Sequence, residues 1–290
     1  MKPHLNILIV GGNGFIGRHI AATCAAAGHK AILGVRNASD PDGTIECNLL
    51  TDTNSAAWVS RLTNIDAIIN TAGLLQANSA EFQAVHVNAP AALAAACAAL
   101  KKPFLHVSML GLENAANTDY FQSKRRGEDA VRSAHSGAII VRPSLVFGRD
   151  SPATQLLLMQ SYLPVLCLPS DTKRIAPIHV DDLAALCLSL VSTVRALGCD
   201  VDAVGAEECT IASYLQALRQ ARGRSRATVI SVPNRWMRAG LACAAFCGAR
   251  TITPEALDLM EHRHTGDKRA FTRWMRRQPA TIAEFQSVVQ

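Results

Sequence analysis

The stretch LNILIVGGNGFIGRHI, residues 5–20, places an unbroken apolar run directly before a glycine-rich turn and the start of a helical pattern. An apolar run of this length is typical of a parallel strand that is buried on both faces. Gly11, Gly14 and Gly17 follow it in the spacing G-x-x-G-x-x-G. Glycines there permit a tight turn and bring the backbone close to a pyrophosphate, and the helix N-terminus attracts phosphate. The stretch therefore predicts a strand–turn–helix unit that binds a dinucleotide.

The alternation of apolar strands and helices continues to about residue 150. Strand-like runs lie at 31–36, 66–73, 103–108 and 137–144, and helical stretches such as the Ala-rich 88–100 separate them. Repeated strand–helix–strand units predict a parallel sheet with helices on both faces. We therefore expect an α/β fold in which residues 1–150 form a doubly wound parallel sheet of the Rossmann type.

Residues 151–290 depart from this alternation and predict a smaller, mostly helical C-terminal lobe that binds a substrate or a partner. Strand-like stretches near 177–180 and 198–204 are candidates to rejoin the sheet. The segment LLLMQSYLPVLCLP, residues 156–169, is apolar and carries no Lys or Arg, so it indicates either an apolar ligand site or lobe core. The arginine-rich stretch 219–226 indicates either a solvated face or contact with an anionic partner or membrane surface.

The composition excludes several classes of protein. With 49% hydrophobic and 18% charged residues the chain is typical of a globular protein, and a net charge of +6 does not indicate nucleic-acid binding. Nine cysteines scattered through apolar stretches, without a CxxC pair, are typical of buried thiols in a reducing cytosol. The first strand begins near Leu5, which leaves no room for a signal peptide, and no apolar run reaches the ~18 residues of a membrane span. We expect a cytoplasmic protein without a membrane span, a metal ion or nucleic acid.

The end of the second strand bears on the choice of dinucleotide. NAD-specific sites usually place Asp or Glu there, where the carboxylate bonds the ribose 2′-hydroxyl. Here the strand ends in Gly34-Val35-Arg36-Asn37, without an acid. Because a guanidinium pairs well with phosphate, Arg36 favours NADP(H) and leaves NAD(H) open. The alternative role of Arg36 is that of a solvated loop residue.

A tyrosine and a lysine stand four residues apart in DYFQSK, residues 119–124. On a helix this spacing places Tyr120 and Lys124 on one face. A phenol with a pKa near 10 is a weak acid at neutral pH, and a positive charge one turn away lowers that pKa. The pair therefore indicates either proton delivery in a reductase or an ordinary surface helix.

Several motifs carry a resemblance that extends over nearly the full chain. In order they are GGNGFIGRHI, INTAG, VHVNAP, FLHVSMLG, YFQSK, VRPSLVFG, IAPIHVDDLA and TITPEALDLM. With them the chain resembles an extended or atypical short-chain dehydrogenase/reductase. The resemblance is to the branch that includes NAD(P)-binding epimerase-like proteins and the 39-kDa accessory subunit of respiratory complex I.

The resemblance implies roles for the catalytic residues. Tyr120 would donate its proton to a substrate carbonyl while NADPH delivers hydride, and Lys124 would assist it and hold the nicotinamide ribose. Ser108 would bond the substrate oxygen, although Met109 stands where some relatives place that hydroxyl. The implied cofactor-binding residues are Gly11, Gly14, Phe15, Ile16, Gly17, Arg36, Asn48, Leu49, Thr71, Ala72, Gly73, Asn88, Lys124 and Pro143. His179, in the segment HVDD, is expected to cap a helix.

Three functions remain open on the sequence. The leading hypothesis is an NADP(H)-dependent oxidoreductase that acts on an apolar carbonyl compound. The second is a catalytically weak NADP(H)-binding scaffold or redox-sensing subunit, similar to the complex I subunit. The third is a sugar-nucleotide epimerase or dehydratase, which predicts tightly held NAD and is disfavoured by the missing acid near Val35. The expected partner is a small-molecule substrate. Contact with a membrane surface or a respiratory complex stays open, and a homodimer is expected from the family alone.

Overall fold

The computed structural model describes residues 4–40, 42–114, 118–170, 172–193, 196–239, 264–282 and 284. The motif TITPEALDLM, residues 251–260, lies outside them. The strands are β1 (Asn6–Val10), β2 (Lys30–Val35), β3 (Thr44–Glu46), β4 (Ala67–Asn70), β5 (Phe104–Val107), β6 (Ile139–Pro143), β7 (Val146–Phe147), β8 (Val165–Pro169), β9 (Ile178–His179), β10 (Asp200–Ala203) and β11 (Thr228–Val232). The helices are α1 (Phe15–Ala26), α2 (Ser55–Val59), α3 (Ser79–Phe82), α4 (Ala89–Ala99), α5 (Asp119–Ala134), α6 (Pro152–Gln160), α7 (Val180–Val191), α8 (Ile211–Ala221) and α9 (Lys268–Met275). A π-helical turn, Gln83–Asn88, joins α3 to α4.

Seven strands form one parallel sheet in the order β10-β6-β5-β4-β1-β2-β3. The doubly wound Rossmann sheet predicted from the sequence is thereby confirmed. β1 lies between β2 and β4, so the strand order reverses across it. The carboxyl ends of the strands at such a reversal open a crevice, which is where sheets of this type bind their ligands.

Both faces of the sheet are buried, which explains the unbroken apolar run of β1. Ile7 and Ile9 enter one core together with residues of α1 and α7. Leu8 and Val10 enter the opposite core, which also contains Trp58 and residues of α4. Because successive side chains of a strand point to opposite faces, a strand covered on both sides must be apolar throughout.

The C-terminal lobe is built from α6, α8 and the parallel pair of β8 with β11. Phe147, Leu157, Leu166 and Tyr214 are buried in its core. Residues after 150 are not confined to this lobe, because α7 packs on α1 and β10 pairs with β6 at the edge of the main sheet. The strand β9 instead pairs with β7, outside the main sheet.

One helical stretch has the length and hydropathy of a membrane span. Ser79–Ala99 contains 21 residues. An 18-residue window within it has a mean hydropathy of 1.2, and 61% of that window is buried inside the protein. The α4 part of this stretch packs against α5 and α2. Burial among these helices accounts for its apolar composition.

Candidate active site

The glycine-rich turn forms the tight connection between β1 and α1. Gly11 has a φ of +78° and its N–H donates to the carbonyl of Gly34, at 3.0 Å. A Cβ at Gly17 would lie 2.3 Å from the carbonyl oxygen of Gly11, so only glycine lets α1 start this close to the turn. Gly14 is the N-cap residue and supplies no side-chain cap to α1. The first N–H groups of the helix therefore have no side-chain partner and suit a phosphate.

A cleft of about 510 Å³ opens at the carboxyl ends of β1, β2 and β4. Eight of the predicted cofactor-binding residues line it: Gly11, Gly14, Arg36, Asn48, Leu49, Thr71, Ala72 and Gly73. Thr71 Oγ1 donates to the carbonyl of Val10 at 2.9 Å and so ties β4 to β1 at the base of the cleft. The size, the glycine turn and the uncapped helix fit a dinucleotide, which these residues would hold.

Arg36 is exposed at the end of β2, where it lines the cleft. The one carboxylate among the described lining residues is that of Glu81, and it accepts a hydrogen bond from the N–H of Asn78 at 3.0 Å. Arg18, one residue after the last glycine, is ion-paired with Asp150 at 2.8 Å. Arg36 is therefore the better placed of the two arginines for a ribose 2′-phosphate.

Helix α5 carries Tyr120 and Lys124, and the two side chains differ in environment. Lys124 is buried, with 9% of its surface exposed, and a Cβ at Gly73 would lie 3.1 Å from its Nζ. The ring of Tyr120 is half-buried and makes edge contacts with Phe82, His86 and Phe121 at centroid distances of 6.0, 5.9 and 5.4 Å. The structure thus places Lys124 beside the dinucleotide cleft, as the prediction requires.

Burial sets the protonation of both groups. It raises the pKa of Tyr120 to about 12, above the usual 10, so the phenol keeps its proton at neutral pH and is a weaker acid than a free tyrosine. The lowering of this pKa by Lys124 that the spacing predicted is not found, because burial of the phenol prevails. Burial lowers the pKa of Lys124 to about 8, and the nearby carboxylate of Glu128 partly opposes this effect. At neutral pH the Lys124 ammonium is still mostly charged.

His86 is a site residue that the sequence reasoning did not identify. The N–H of Leu74 donates to its Nε2 at 3.0 Å, so the other nitrogen carries the proton and Nδ1 donates to Ser123 Oγ at 2.8 Å. Ser123 Oγ in turn donates to the carbonyl of Tyr120 at 2.7 Å. Burial, and then the charge of Lys124, lower the pKa of His86 to about 3, so the ring stays neutral. His86 thereby joins the loop after β4 to the first turn of α5. The one signal in the sequence is the histidine between the two valines of VHVNAP.

Ser108 and Met109 lie at the end of β5 and take different positions. The Ser108 hydroxyl is buried and has no hydrogen-bond partner among the described residues. It lines neither the dinucleotide cleft nor the apolar pocket described next. Met109 does line that pocket and packs against Phe121 and Tyr120. The role predicted for Ser108 stays a prediction, since its hydroxyl is free of internal partners but set back from the cavity wall.

An apolar pocket of about 320 Å³ lies beside the cleft, between the sheet and the C-terminal lobe. Its lining residues are Phe15, Met109, Tyr120, Pro143, Ser144, Leu145, Val146, Ser151, Ala153, Leu156, Leu157, Ile175, Ile211 and His264. The Ser144 hydroxyl is already satisfied, because it donates to the carbonyl of His264 at 2.6 Å and accepts from Ala176 at 3.1 Å. No Lys or Arg of the described chain lines the pocket. Tyr120 is its most evident proton donor.

The remaining predicted residues fall into three places. Phe15 and Pro143 line the apolar pocket. Ile16 packs against the core that contains α1 and α7, and Gly17 serves the turn. Asn88 is exposed, accepts a hydrogen bond from Gln83 at 2.9 Å and lies outside both cavities. Its cofactor role remains a prediction.

Comparison with known proteins gives a consistent result. A model of the NAD dependent epimerase/dehydratase family matches residues 7–201. A ceramide reductase of Caulobacter vibrioides is 34% identical over 195 residues, which are 64% of this chain and 61% of the relative. Subunit 9 of the mouse mitochondrial NADH dehydrogenase (ubiquinone) 1 alpha subcomplex is 30% identical over 213 residues, 68% of this chain and 54% of the relative. The matched part thus spans less than two thirds of the length of either relative.

Among solved structures, a human epimerase family protein crystallised with NADPH has a TM-score of 0.75 to this chain. The two share 18% sequence identity, and the match covers 98% of this chain and 99% of that one. At this identity the likeness supports the fold alone. It extends over the C-terminal lobe as well as the sheet.

Proposed function

The chain belongs to the NAD dependent epimerase/dehydratase family, and we propose that it is an NADP(H)-dependent reductase of an apolar carbonyl compound. The observation that carries the proposal is the position of Tyr120, a proton donor in the wall of an apolar pocket beside the dinucleotide cleft. A carbonyl on an alkyl chain suits this lining because it buries apolar surface and leaves no charge unpaired. A nucleotide sugar would find no cation among the described residues of the pocket to pair with its diphosphate.

The preference for NADP(H) rests on Arg36. Its guanidinium is exposed in the cleft at the end of β2, where an NAD-specific site would carry an acid. A 2′-phosphate there would gain a charge-assisted, bidentate hydrogen bond. NAD(H) would fit the same cleft but would make no use of this charge.

The residues divide the work of a carbonyl reduction. NADPH, when bound, supplies the hydride that adds to the carbonyl carbon. Tyr120 donates its phenolic proton to the carbonyl oxygen, which completes the alcohol. The charge of Lys124 stabilises the phenolate that this step leaves, and solvent returns the proton. His86 holds the first turn of α5, and so the ring of Tyr120, in place.

The ceramide reductase relative supports a lipid-like substrate. Its name describes a reductase that acts on a lipid, and this chain is 34% identical to it over 195 residues. The sequence left the lobe segment 156–169 as either lobe core or ligand site, and one part of the segment has each position. Leu156 and Leu157 line the pocket, whereas Leu166 and Leu168 enter the lobe core.

The experiment compares two classes of substrate with the purified protein and NADPH. Alkyl ketones of increasing chain length should be reduced, and kcat/KM should rise about four-fold per added methylene until the pocket is filled. Nucleotide sugars with a 4-keto group should be inert. Reduction of the nucleotide sugars without reduction of any alkyl ketone would contradict the proposal.

A second candidate function is a catalytically weak NADP(H)-binding subunit. The observation that favours it is the wall of the pocket, where Met109 stands and the Ser108 hydroxyl does not reach. A carbonyl would then be polarised by Tyr120 alone. The similarity to the mouse NADH dehydrogenase subunit supports this candidate too. A protein that binds NADPH tightly but reduces no member of the ketone panel would favour it.

A further inference from the structure

One face of the small sheet in the C-terminal lobe is apolar and exposed. β8 turns Leu166 into the lobe core, so Val165 and Cys167 point to the opposite face. Val165 is 42% exposed, and Cys167 is exposed as well. The parallel register pairs Cys167 with Ile230 of β11, which is 47% exposed and extends the same face.

The turn before β8 adds two more apolar side chains to this surface. Tyr162 and Leu163 are 49% and 52% exposed and are separated from Val165 by Pro164. Together with Val165, Cys167 and Ile230 they form what we call the lobe face. Contiguous exposed apolar surface of this kind on a globular protein marks a site of interaction.

Arginines hold the turn of the lobe face in position. Arg219 Nη1 donates to the carbonyls of Ser161 and Leu163, at 2.7 and 2.6 Å. The guanidinium groups of Arg222 and Arg224 each stack on the ring of Tyr162 at 4.5 Å from its centroid. The tyrosine is therefore fixed at the surface with positive charge around it.

The chain segments that form the lobe face carry basic residues and no acid. Residues 209–239 contain six arginines and no Asp or Glu, and residues 151–170 contain no acid either. The nearest preceding acid, Glu208, is already ion-paired with Arg174 at 3.4 Å and Lys268 at 3.3 Å. A partner of this surface must therefore combine apolar groups with negative charge.

We propose that the lobe face docks on the surface of an anionic phospholipid bilayer. Aliphatic side chains would enter the headgroup boundary and Tyr162 would sit at the interface. The exposed arginines Arg224 and Arg226 would meet the lipid phosphates, whereas the buried Arg219 holds the turn. Each arginine near an anionic surface strengthens binding about five-fold. Binding of this kind needs no membrane span.

The lobe face is connected to the apolar pocket through α6. Ala153, Leu156 and Leu157 of this helix line the pocket, and Met159 near its end is 63% exposed and lies next to the turn of Tyr162. A nine-residue helix is about 13 Å long, so docking would bring the pocket close to the bilayer. A substrate could then pass from lipid to pocket over a short apolar path. This last step rests on the proposed function, whereas the docking itself does not.

Flotation with lipid vesicles tests the docking without any substrate. The full chain would be mixed with vesicles of phosphatidylcholine alone or with phosphatidylglycerol added, at low and high salt. We expect flotation with the anionic vesicles at low salt, weakened by high salt and absent with phosphatidylcholine alone. The double variant Leu163→Asp/Ile230→Asp should bind at least about ten-fold more weakly, and Arg224→Glu should also weaken binding.

The control is Val59→Asp, which changes a side chain of similar exposure, 40%, on α2 of the other domain. It should float as the wild type does. Unchanged circular-dichroism spectra and thermal midpoints in every variant would show that each is folded. Equal flotation of the wild type and the double variant would overturn the proposal. A second result would also overturn the proposal: the wild type does not float, forms a dimer in lipid-free solution, and the double variant abolishes that dimer. A second copy of the chain would then cover the lobe face.

Discussion

Lys124 is the residue whose charge the fold controls most directly. Its neighbour one turn on, Glu128, is engaged by Arg142 through hydrogen bonds of 3.0, 3.1 and 2.6 Å and is itself buried. Since Arg142 neutralises much of that carboxylate, burial prevails and the pKa of Lys124 falls to about 8. The residue therefore loses its charge in the weakly alkaline range, and with it the means to stabilise a Tyr120 phenolate.

Arg36 carries the prediction on cofactor choice. In Arg36→Ala the charge-assisted bond to a 2′-phosphate is lost, and we expect NADPH affinity to fall about ten-fold while NADH affinity stays unchanged. Titration calorimetry with both nucleotides measures this. Arg18→Ala is the matched control, because Arg18 is paired with Asp150. An equal loss for NADPH and NADH would contradict a 2′-phosphate site at Arg36.

His86 carries a prediction on acid stability. Its pKa of about 3 lies below the usual 6.5, so the unfolded chain binds a proton that the folded protein does not. The stability due to the neutral ring is complete above pH 6.5 and is lost as the pH falls toward 3. Each such histidine lowers the free energy of unfolding by at most about 1.4 kcal/mol for each pH unit in that range.

The variant His86→Gln places a side chain there that does not titrate. Its thermal midpoint should fall less steeply than that of the wild type between pH 6.5 and pH 4. His106, whose pKa is also lowered to about 3 by burial, remains and keeps part of the slope. His4→Gln, at an exposed position, is the control. If the thermal midpoint of His86→Gln fell with pH as steeply as that of the wild type, His86 would not contribute to the acid sensitivity.

The features that could be predicted from the sequence are those that follow from near neighbours. The glycine turn precedes a helix, and Tyr120 and Lys124, four positions apart, share one helix, whereas the roles of these two side chains stay a prediction. His86 could not be found in this way, because its partner Ser123 is 37 positions away. The burial of Lys124 beside Gly73 likewise depends on the contact between helix α5 and the loop after β4, which are distant in the sequence.

At the scale of elements, the packing of α5 on the π-helical turn decides where Tyr120 lies. The two meet at Gly127, where a Cβ would lie 2.1 Å from the carbonyl oxygen of His86. A backbone oxygen cannot move aside without displacing the turn. The glycine is therefore required by the close approach of two helical segments.

Gly127→Ala tests this packing. Helix propensity alone would stabilise α5 by about 1 kcal/mol, but the clash should cost more and give a net destabilisation of about 1–3 kcal/mol. Activity should fall further, since the shift moves Tyr120. Ser133→Ala, at an exposed position of the same helix, is the control and should have little effect. Denaturant unfolding measures the free energy of unfolding of both variants. A Gly127→Ala protein that is more stable than the wild type would contradict the close approach.

Elements with a clear period could be predicted, and those formed by long-range contacts could not. The apolar run of β1 indicated a buried strand, and the repeated strand–helix–strand alternation led to a parallel sheet. His179, expected as a helix cap, does cap α7 by accepting from the N–H of Asp181 at 3.3 Å. The π-helical turn has no signal of its own in QAVHVN.

At the scale of the whole molecule, the candidate active site lies where the sheet meets the lobe. Asp182 at the start of α7 is buried and binds Arg277 at 2.5 Å and the N–H of Ala280 at 2.7 Å. The C-terminal segment is thereby fastened to the Rossmann layers, while α6 and α8 close the apolar pocket over Tyr120. The composition could indicate a lobe, but only the fold shows that its pocket adjoins the dinucleotide cleft.

The central claim is that Tyr120 delivers a proton between these two cavities, and one measurement tests it most directly. Single-turnover oxidation of bound NADPH by an alkyl ketone would be compared in the wild type and Tyr120→Phe, with NADPH affinity measured for both. Because the phenol supplies the proton, we expect the rate to fall by about 10²-fold or more while NADPH affinity is unchanged. Equal rates in the two proteins, at equal NADPH occupancy, would contradict the account.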